Sequence, residues 1–170
     1  MINPVDYLAI KARVREEFDN INLLEAKLKK AELFPEITAA EYLGLPLNDE
    51  NVCRIIGSIL HDYYNVLENI FEHLLRSFGE SLPVSEQWHK ELLKKASLEI
   101  PGVRPAFISK QTELKLDDLR KFRHVIRNIY GFNINSEKEQ VILKMLPDIS
   151  LTVRTDINYF FEQMDILILE

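Results

Sequence analysis

At 170 residues, 46% hydrophobic and 28% charged, the chain is long enough to bury one substantial core and short for two, so a single domain over residues 1–170 is expected. A formal net charge of −6 excludes a surface that binds nucleic acid everywhere, since such binding neutralises many phosphates at once, and confines any contact of that kind to a local patch. The single cysteine, Cys53, excludes an intrachain disulfide framework and a cysteine-built zinc site and fits a reducing, cytoplasmic compartment.

The first segment, "MINPVDYLAIKARVREEF", lacks a basic region followed by an apolar core, and no uninterrupted apolar run reaches membrane-spanning length. A soluble, unprocessed chain with no membrane partner is expected. Asn3 followed by Pro4 reads as a helix cap and first helical residue. The helix they open runs to about Lys30, with Leu8 and then Val14, Phe18, Ile21, Leu24 and Leu28, the last five at steps of three and four. "LFPEI" stops it, and a short helical turn is expected around Thr38 to Leu43 before "GLPLND" breaks the chain again. Asp49 caps the longest stretch, in which Val52, Ile55, Ile56, Ile59, Leu60, Tyr63, Val66, Leu67, Ile70, Leu74 and Phe78 form one broad apolar stripe.

A shorter helix is expected from Ser85 and Glu86 to Leu93. It is followed by an ordered connector, "EIPGVRPAFISKQ", whose two prolines and glycine deny it regular structure. Another helix is expected from about Thr112 to Tyr130. The last should run from Ser136 towards Leu167, with Pro147 kinking or splitting it by removing a backbone donor. No strand-like alternation competes with this pattern. The fold class is all-α, an antiparallel bundle of four or five helices.

The stretch "RKFRHVIRNIYGF", residues 120–132, concentrates charge and chemistry. Leu116, Leu119, Phe122, Ile126 and Ile129 are assigned to the core side of its helix. Arg120, Arg123, His124, Arg127 and Asn128 are assigned to a polar face that Gly131 extends, with Tyr130 within about 20° of Arg123 after two turns. Three guanidiniums so spaced repel one another unless anions sit among them, and the arginine fork suits bidentate phosphate recognition. The plainer reading is a cationic helix end favoured by the macrodipole and paired with surface carboxylates.

The order arginine, four residues, histidine, one residue, tyrosine resembles the signature of the HepT-like toxins, a branch of the HEPN superfamily of small all-α ribonucleases. It maps onto Arg123, "HVIR", Asn128, Ile129 and Tyr130, with asparagine at the histidine position. "LHDYYNVLENIFE", "WHKELL", "RPAFIS" and "FRHVIRNIYGFNI" are similar to the same group, so the resemblance covers residues 50–135 and reaches the ends only by architecture.

The resemblance implies a metal-independent endoribonuclease working as a homodimer, with two motif helices paired across a cleft. The arginine holds the scissile RNA phosphate while the histidine assists 2′-hydroxyl attack. It also implies that the motif tyrosine accepts adenylate from a partner nucleotidyltransferase antitoxin of the MNT type. Carried over, Arg123 is the phosphate-holding residue, Arg120 and Arg127 its cationic neighbours, Tyr130 the modification acceptor and Asn128 the altered acid–base position. An amide hydrogen-bonds to phosphate or ribose but exchanges no proton near neutral pH. His124, one turn before Asn128, titrates in the useful range and is the candidate to supply that proton transfer.

Other constellations carry less. Glu86 and His89 have the Glu-x-x-His spacing of carboxylate-bridged di-iron bundles, but the second copy such a site requires is missing from the sequence, so no metal or cofactor is expected. His61, Asp62 and Tyr64 read as a satisfied, partly buried polar network, His73 as a helix-surface residue and Trp88 as a core-edge one. Two functions remain open: an endoribonuclease toxin of a toxin–antitoxin pair, or a HEPN-derived RNA- or nucleotide-binding or regulatory dimerisation module that has lost cleavage.

Overall fold

The computed structural model describes residues 2–128 and 133–169. Among these, five helices do the architectural work: α1 (Pro4–Lys30), α2 (Glu50–Ser77), α3 (Trp88–Ala96), α4 (Lys110–Asn128) and α5 (Ser136–Ile168). The protein is an all-α bundle, as its periodicity indicated.

Three of the long helices begin at side-chain caps, each satisfying an amide that has no partner in the first turn. Asn3 accepts from the Asp6 amide at 2.9 Å and Asp49 from Asn51 at 2.8 Å. Asn135 accepts from Lys138 at 3.0 Å. On α1 the inner stripe is Tyr7, Ile10, Val14, Ile21, Leu24 and Leu28, while Leu8, expected inside, is exposed. Pro147 lies within α5, which continues as one helix past it rather than splitting.

Cross-contacts fix the helix directions. Tyr63 of α2 reaches Glu25 of α1 and His73 lies near Arg13 and Glu17, while Tyr7 donates to the carbonyl of Phe161 and Ser150 donates to Glu25, so α1 runs opposite to both α2 and α5. Arg123 meets Asn65 while Gly57 faces Ile126, so α4 also opposes α2. Lys115 pairs with Asp148 at 2.6 Å and Thr112 donates to Asp156 at 2.6 Å, which sets α4 against α5. Four long helices thus alternate in direction around one core, each large side chain taken out of water contributing about 1.5–3 kcal/mol. The short α3 packs on the outside against α2 and α4.

Two local features differ from the sequence expectation. The stretch read as a helical turn is a small antiparallel hairpin, β1 (Glu41–Tyr42) with β2 (Leu45–Pro46), turned by Leu43 and Gly44 at φ +56° and +75°. Two successive positive-φ residues suit the turn that joins twisted strands, and only the glycine adopts that conformation without cost. The α3 helix starts at Trp88, because the Ser85 hydroxyl binds the Gln87 amide at 3.2 Å and holds the preceding residues in a turn.

The connector after α3 is fixed by one arginine. Arg104 donates to Glu80 at 2.6 Å and to the carbonyls of Leu98, Pro105 and Lys95, and its guanidinium lies 3.8 Å from the centre of the Phe107 ring. With four of the five Arg104 N–H donors engaged, this loop holds α3 against the bundle and thereby sets the position of His89.

Candidate functional site

The junction of α2, α3 and α4 gathers the chemistry. Arg123 is only 8% exposed, although it was assigned to the open polar face of its helix. Its Nε donates to Asn65 Oδ1 at 2.9 Å, Nη2 lies 3.8 Å from Glu68 Oε2, and the guanidinium carbon is 5.6 Å from the centre of the Tyr64 ring. The inward position has a simple cause. Seven residues after Leu116, Arg123 returns to within about 20° of it, so it continues the stripe that Leu116 and Leu119 bury.

From α3, His89 closes the cluster. Its Nδ1 is 2.5 Å from Glu68 Oε1, and its Nε2 faces Arg123 Nη1 at 3.4 Å. An arginine only donates, so the Nε2 beside it carries the lone pair, and Nδ1 donates its proton to the Glu68 carboxylate. Arginine, carboxylate and neutral imidazole together carry no net charge, which is how a buried ion pair is tolerated.

Burial pushes the Glu68 carboxyl up to about 7 against the pull of Arg123. Burial first, and then Arg123, Arg127, Arg120 and His124, push the His89 imidazole down to about 4. His61 is lowered for similar reasons, burial and then Arg123, and its Nδ1 has no hydrogen-bond partner among the described residues. The Tyr64 hydroxyl lies beside Glu68 without a well-formed hydrogen bond, and burial raises its pKa. The polar patch on α2 is therefore incompletely satisfied, where a closed network was expected. His73, expected on the helix surface, is half-buried with an unpartnered Nε2 at the α1–α2 contact.

The other sequence candidates divide between two environments. Arg120 is half-buried beside the cluster and donates to Asp117 at 2.7 Å. His124, Arg127 and Asn128 are exposed. Asn128 Nδ2 donates to the carbonyl of His124 at 2.8 Å and passes 3.4 Å from its ring, so these two residues form a surface pair one turn from the buried cluster. No ion pair holds Arg127 among the described residues, although its charge reaches both His61 and His89. Tyr130, the expected modification acceptor, lies outside the described residues, as do Ile129 and Gly131.

Asn65, Glu68 and the placement of His89 escaped sequence reasoning. A signal was present, for His61, Asn65, Glu68 and Glu72 recur at steps of four, three and four along one side of α2. His89 carried none, because only the folded connector brings it to α2. The described residues hold no cluster of three or more histidines, cysteines or carboxylates spaced to hold a metal ion, and none of their helices is long and apolar enough to cross a membrane.

Comparison with known proteins gives one match: the family model described as "HepT-like protein" fits residues 55–164, which span α2 from its first turns through most of α5. Neither the curated proteins nor the solved structures contain a match.

Proposed function

Because the chain belongs to the HepT-like protein family, we propose that it engages RNA at the α2–α3–α4 junction, as the toxin half of a toxin–antitoxin pair with endoribonuclease chemistry. Arg123 anchors the scissile phosphate from within, while Arg120 and Arg127 flank it. The observation that carries this reading is Arg127: an exposed arginine without an ion pair among the described residues, one turn beyond a buried arginine and near two histidines whose basicity burial and the α4 arginines lower. An uncompensated cation beside a buried polar cluster favours an anion there, and the guanidinium fork matches a phosphate.

The working form is a homodimer in which two α4 helices bring their arginines together, since one copy supplies few converging donors and an isologous contact doubles them. Light scattering at micromolar concentration is expected to read the mass of two chains. A single-chain mass would remove the paired cleft. The partner that silences the protein is an MNT-type nucleotidyltransferase, which transfers adenylate to Tyr130.

Arg127→Ala tests the phosphate reading. It should weaken binding of single-stranded RNA and lower the slope of log affinity against log salt by about 0.7, the share of one phosphate contact on a single strand. Stability should stay within about 0.5 kcal/mol, because the side chain is exposed and away from the packed core. An unchanged salt slope would place the RNA elsewhere.

A second reading is favoured by Asn128. Its amide is engaged with the carbonyl of His124 in its own helix and transfers no proton near neutral pH, which suits a binding or regulatory module without cleavage. Cleavage of RNA by wild-type protein in EDTA separates the two.

A further inference from the structure

We propose that His89, aligned by Glu68, is the proton acceptor of this site, doing from α3 the work that Asn128 cannot do from α4. The inference rests on the phosphate-binding reading above. It adds a catalytic residue, His89, and a positioning residue, Glu68, both outside the arginine-to-tyrosine motif of residues 123–130.

The geometry is that of a base held by a carboxylate. Glu68 Oε1 accepts a hydrogen bond from Nδ1 at 2.5 Å, which fixes both the tautomer and the plane of the ring. Nε2 is left with its lone pair towards Arg123, the residue that would hold the phosphate. Trp88 lies over the ring with centroids 3.7 Å apart, limiting its rotation. The His89 side chain keeps 16% of its surface exposed, so part of the ring meets solvent.

His124, the other candidate, is exposed and has Asn128 rather than a carboxylate against its ring. An imidazole backed by an ionised carboxylate is the better oriented base.

The step balances without a co-reactant beyond water. His89 Nε2 removes the proton from a ribose 2′-hydroxyl, and the freed electron pair on O2′ forms a bond to the adjacent phosphorus. The bond from phosphorus to the 5′-oxygen of the next nucleotide breaks, its electron pair stays on that oxygen, and a proton from water completes the 5′-hydroxyl. The imidazolium returns its proton to the hydroxide so formed. The products are a 2′,3′-cyclic phosphate and a 5′-hydroxyl end. Arg123 and Arg127 oppose the charge gathering on the phosphate oxygens.

Burial first, and then the charges of Arg123, Arg127 and Arg120 of α4, lower the basicity of the free imidazole. A bound phosphate neutralises part of that field and restores basicity when substrate is present. Facing the pair from α2 are Tyr64 and Glu72, which bear on Glu68.

The test uses the full-length protein, a mixed-sequence single-stranded RNA in EDTA, and its 2′-deoxy counterpart as a binding probe that offers no nucleophile. His89→Ala should bind the deoxy probe within about threefold of wild type while losing about a hundredfold to ten-thousandfold in cleavage rate, and added imidazole should restore part of the loss. His124→Ala should keep cleavage within about tenfold. Glu68→Gln should still bind the probe, cleave more slowly, and lose the rise in rate through pH 7 that follows ionisation of the Glu68 carboxyl. His89→Gln, which retains an amide in the same space, serves if the alanine variant melts early.

Cleavage by His89→Ala at the wild-type rate overturns the proposal. So does a wild-type protein that binds the probe yet cleaves no RNA, in which case the phosphate site survives as a binding module. A wild-type protein that neither binds nor cleaves removes both readings at once.

Discussion

Replacing Arg123 with alanine is expected to lower stability by about 3 kcal/mol at pH 8, because removal of one partner leaves the other charge buried and unpaired. The side chain lies between α2 and α3, donates to Asn65 and faces both Glu68 and His89, so its loss frees three groups together. The penalty should depend on pH in a defined direction. Glu68 already titrates near 7 in the folded protein, above its ordinary 4.5, and without the arginine it climbs further.

A carboxyl raised in the folded state stabilises fully below its unfolded pKa, and that stability is lost as pH rises through the folded one. Near pH 4 Glu68 is protonated with or without Arg123, so the variant should there lose only the guanidinium's packing and hydrogen bonds, about 1–2 kcal/mol. Urea unfolding at pH 4 and pH 8 measures the difference. Glu68→Gln should recover part of the loss in the double variant at pH 8 and little at pH 4. Equal destabilisation at both values would mean that Arg123 acts by shape and not by charge. RNA binding must accordingly be scored per folded molecule, since a fall in total binding by Arg123→Ala mixes both effects.

That coupling of structure and site explains which parts of the protein were legible in its sequence. Asn3, Asp49 and Asn135 are short polar side chains placed directly before long apolar stripes, and each caps a helix, since capping depends only on neighbours a few residues away. Most of the apolar stripes of α1 and α2 followed from periodicity for the same local reason. The hairpin at Glu41–Pro46 was not legible, because its turn puts Leu43 in a left-handed conformation that leucine does not advertise.

The orientation of Arg123 was legible in angle and obscured by chemistry. Leu116, Leu119 and Arg123 follow one another at steps of three and four on one stripe, so the buried face of α4 changes from leucine to arginine as it passes under α3. Charge suggested water, while the stripe pointed inward. His89 was placed by long-range packing alone. Arg104 holds the connector, the connector holds α3, and only then does a histidine from "WHKELL" meet a glutamate that lies in the middle of α2.

Glu139 carries the second large expectation, and it lies one layer away from the site. This residue of the first turn of α5 is 1% exposed, and burial pushes its carboxyl up to about 8. Glu25, also buried, receives Tyr63 at 2.9 Å and Ser150 at 2.5 Å and has Arg154 at 3.6 Å. Glu139 Oε2 has no hydrogen-bond partner among the described residues, and the Cys53 thiol is its polar neighbour from α2. Gly57 allows this approach, since a Cβ there would stand 3.3 Å from Glu139 Oε2 and 2.7 Å from the end of Ile126.

As with Glu68, a raised carboxyl contributes stability that is fully present below about pH 4.5 and lost as pH rises through 8. Ionising a carboxylate with so little compensation should cost on the order of 2–4 kcal/mol by pH 9. Glu139→Gln removes the titration and keeps the volume. The variant should match wild type within about 1 kcal/mol at pH 5 and exceed it by about 2 kcal/mol at pH 9, read from denaturant midpoints at constant slope. If the two proteins instead lose stability in parallel from pH 5 to pH 9, the carboxylate is solvated or paired when ionised, and the pH dependence belongs to Glu68 or to the acidic surface. Because α5 begins here and its first turn packs over Gly57 and Ile126, the variant also reports whether that end of α4 is loosened in wild type by charge at alkaline pH. Protection of the Ile126 amide from hydrogen exchange should fall between pH 7 and pH 9 in wild type, after correction for intrinsic exchange, and hold steady in Glu139→Gln.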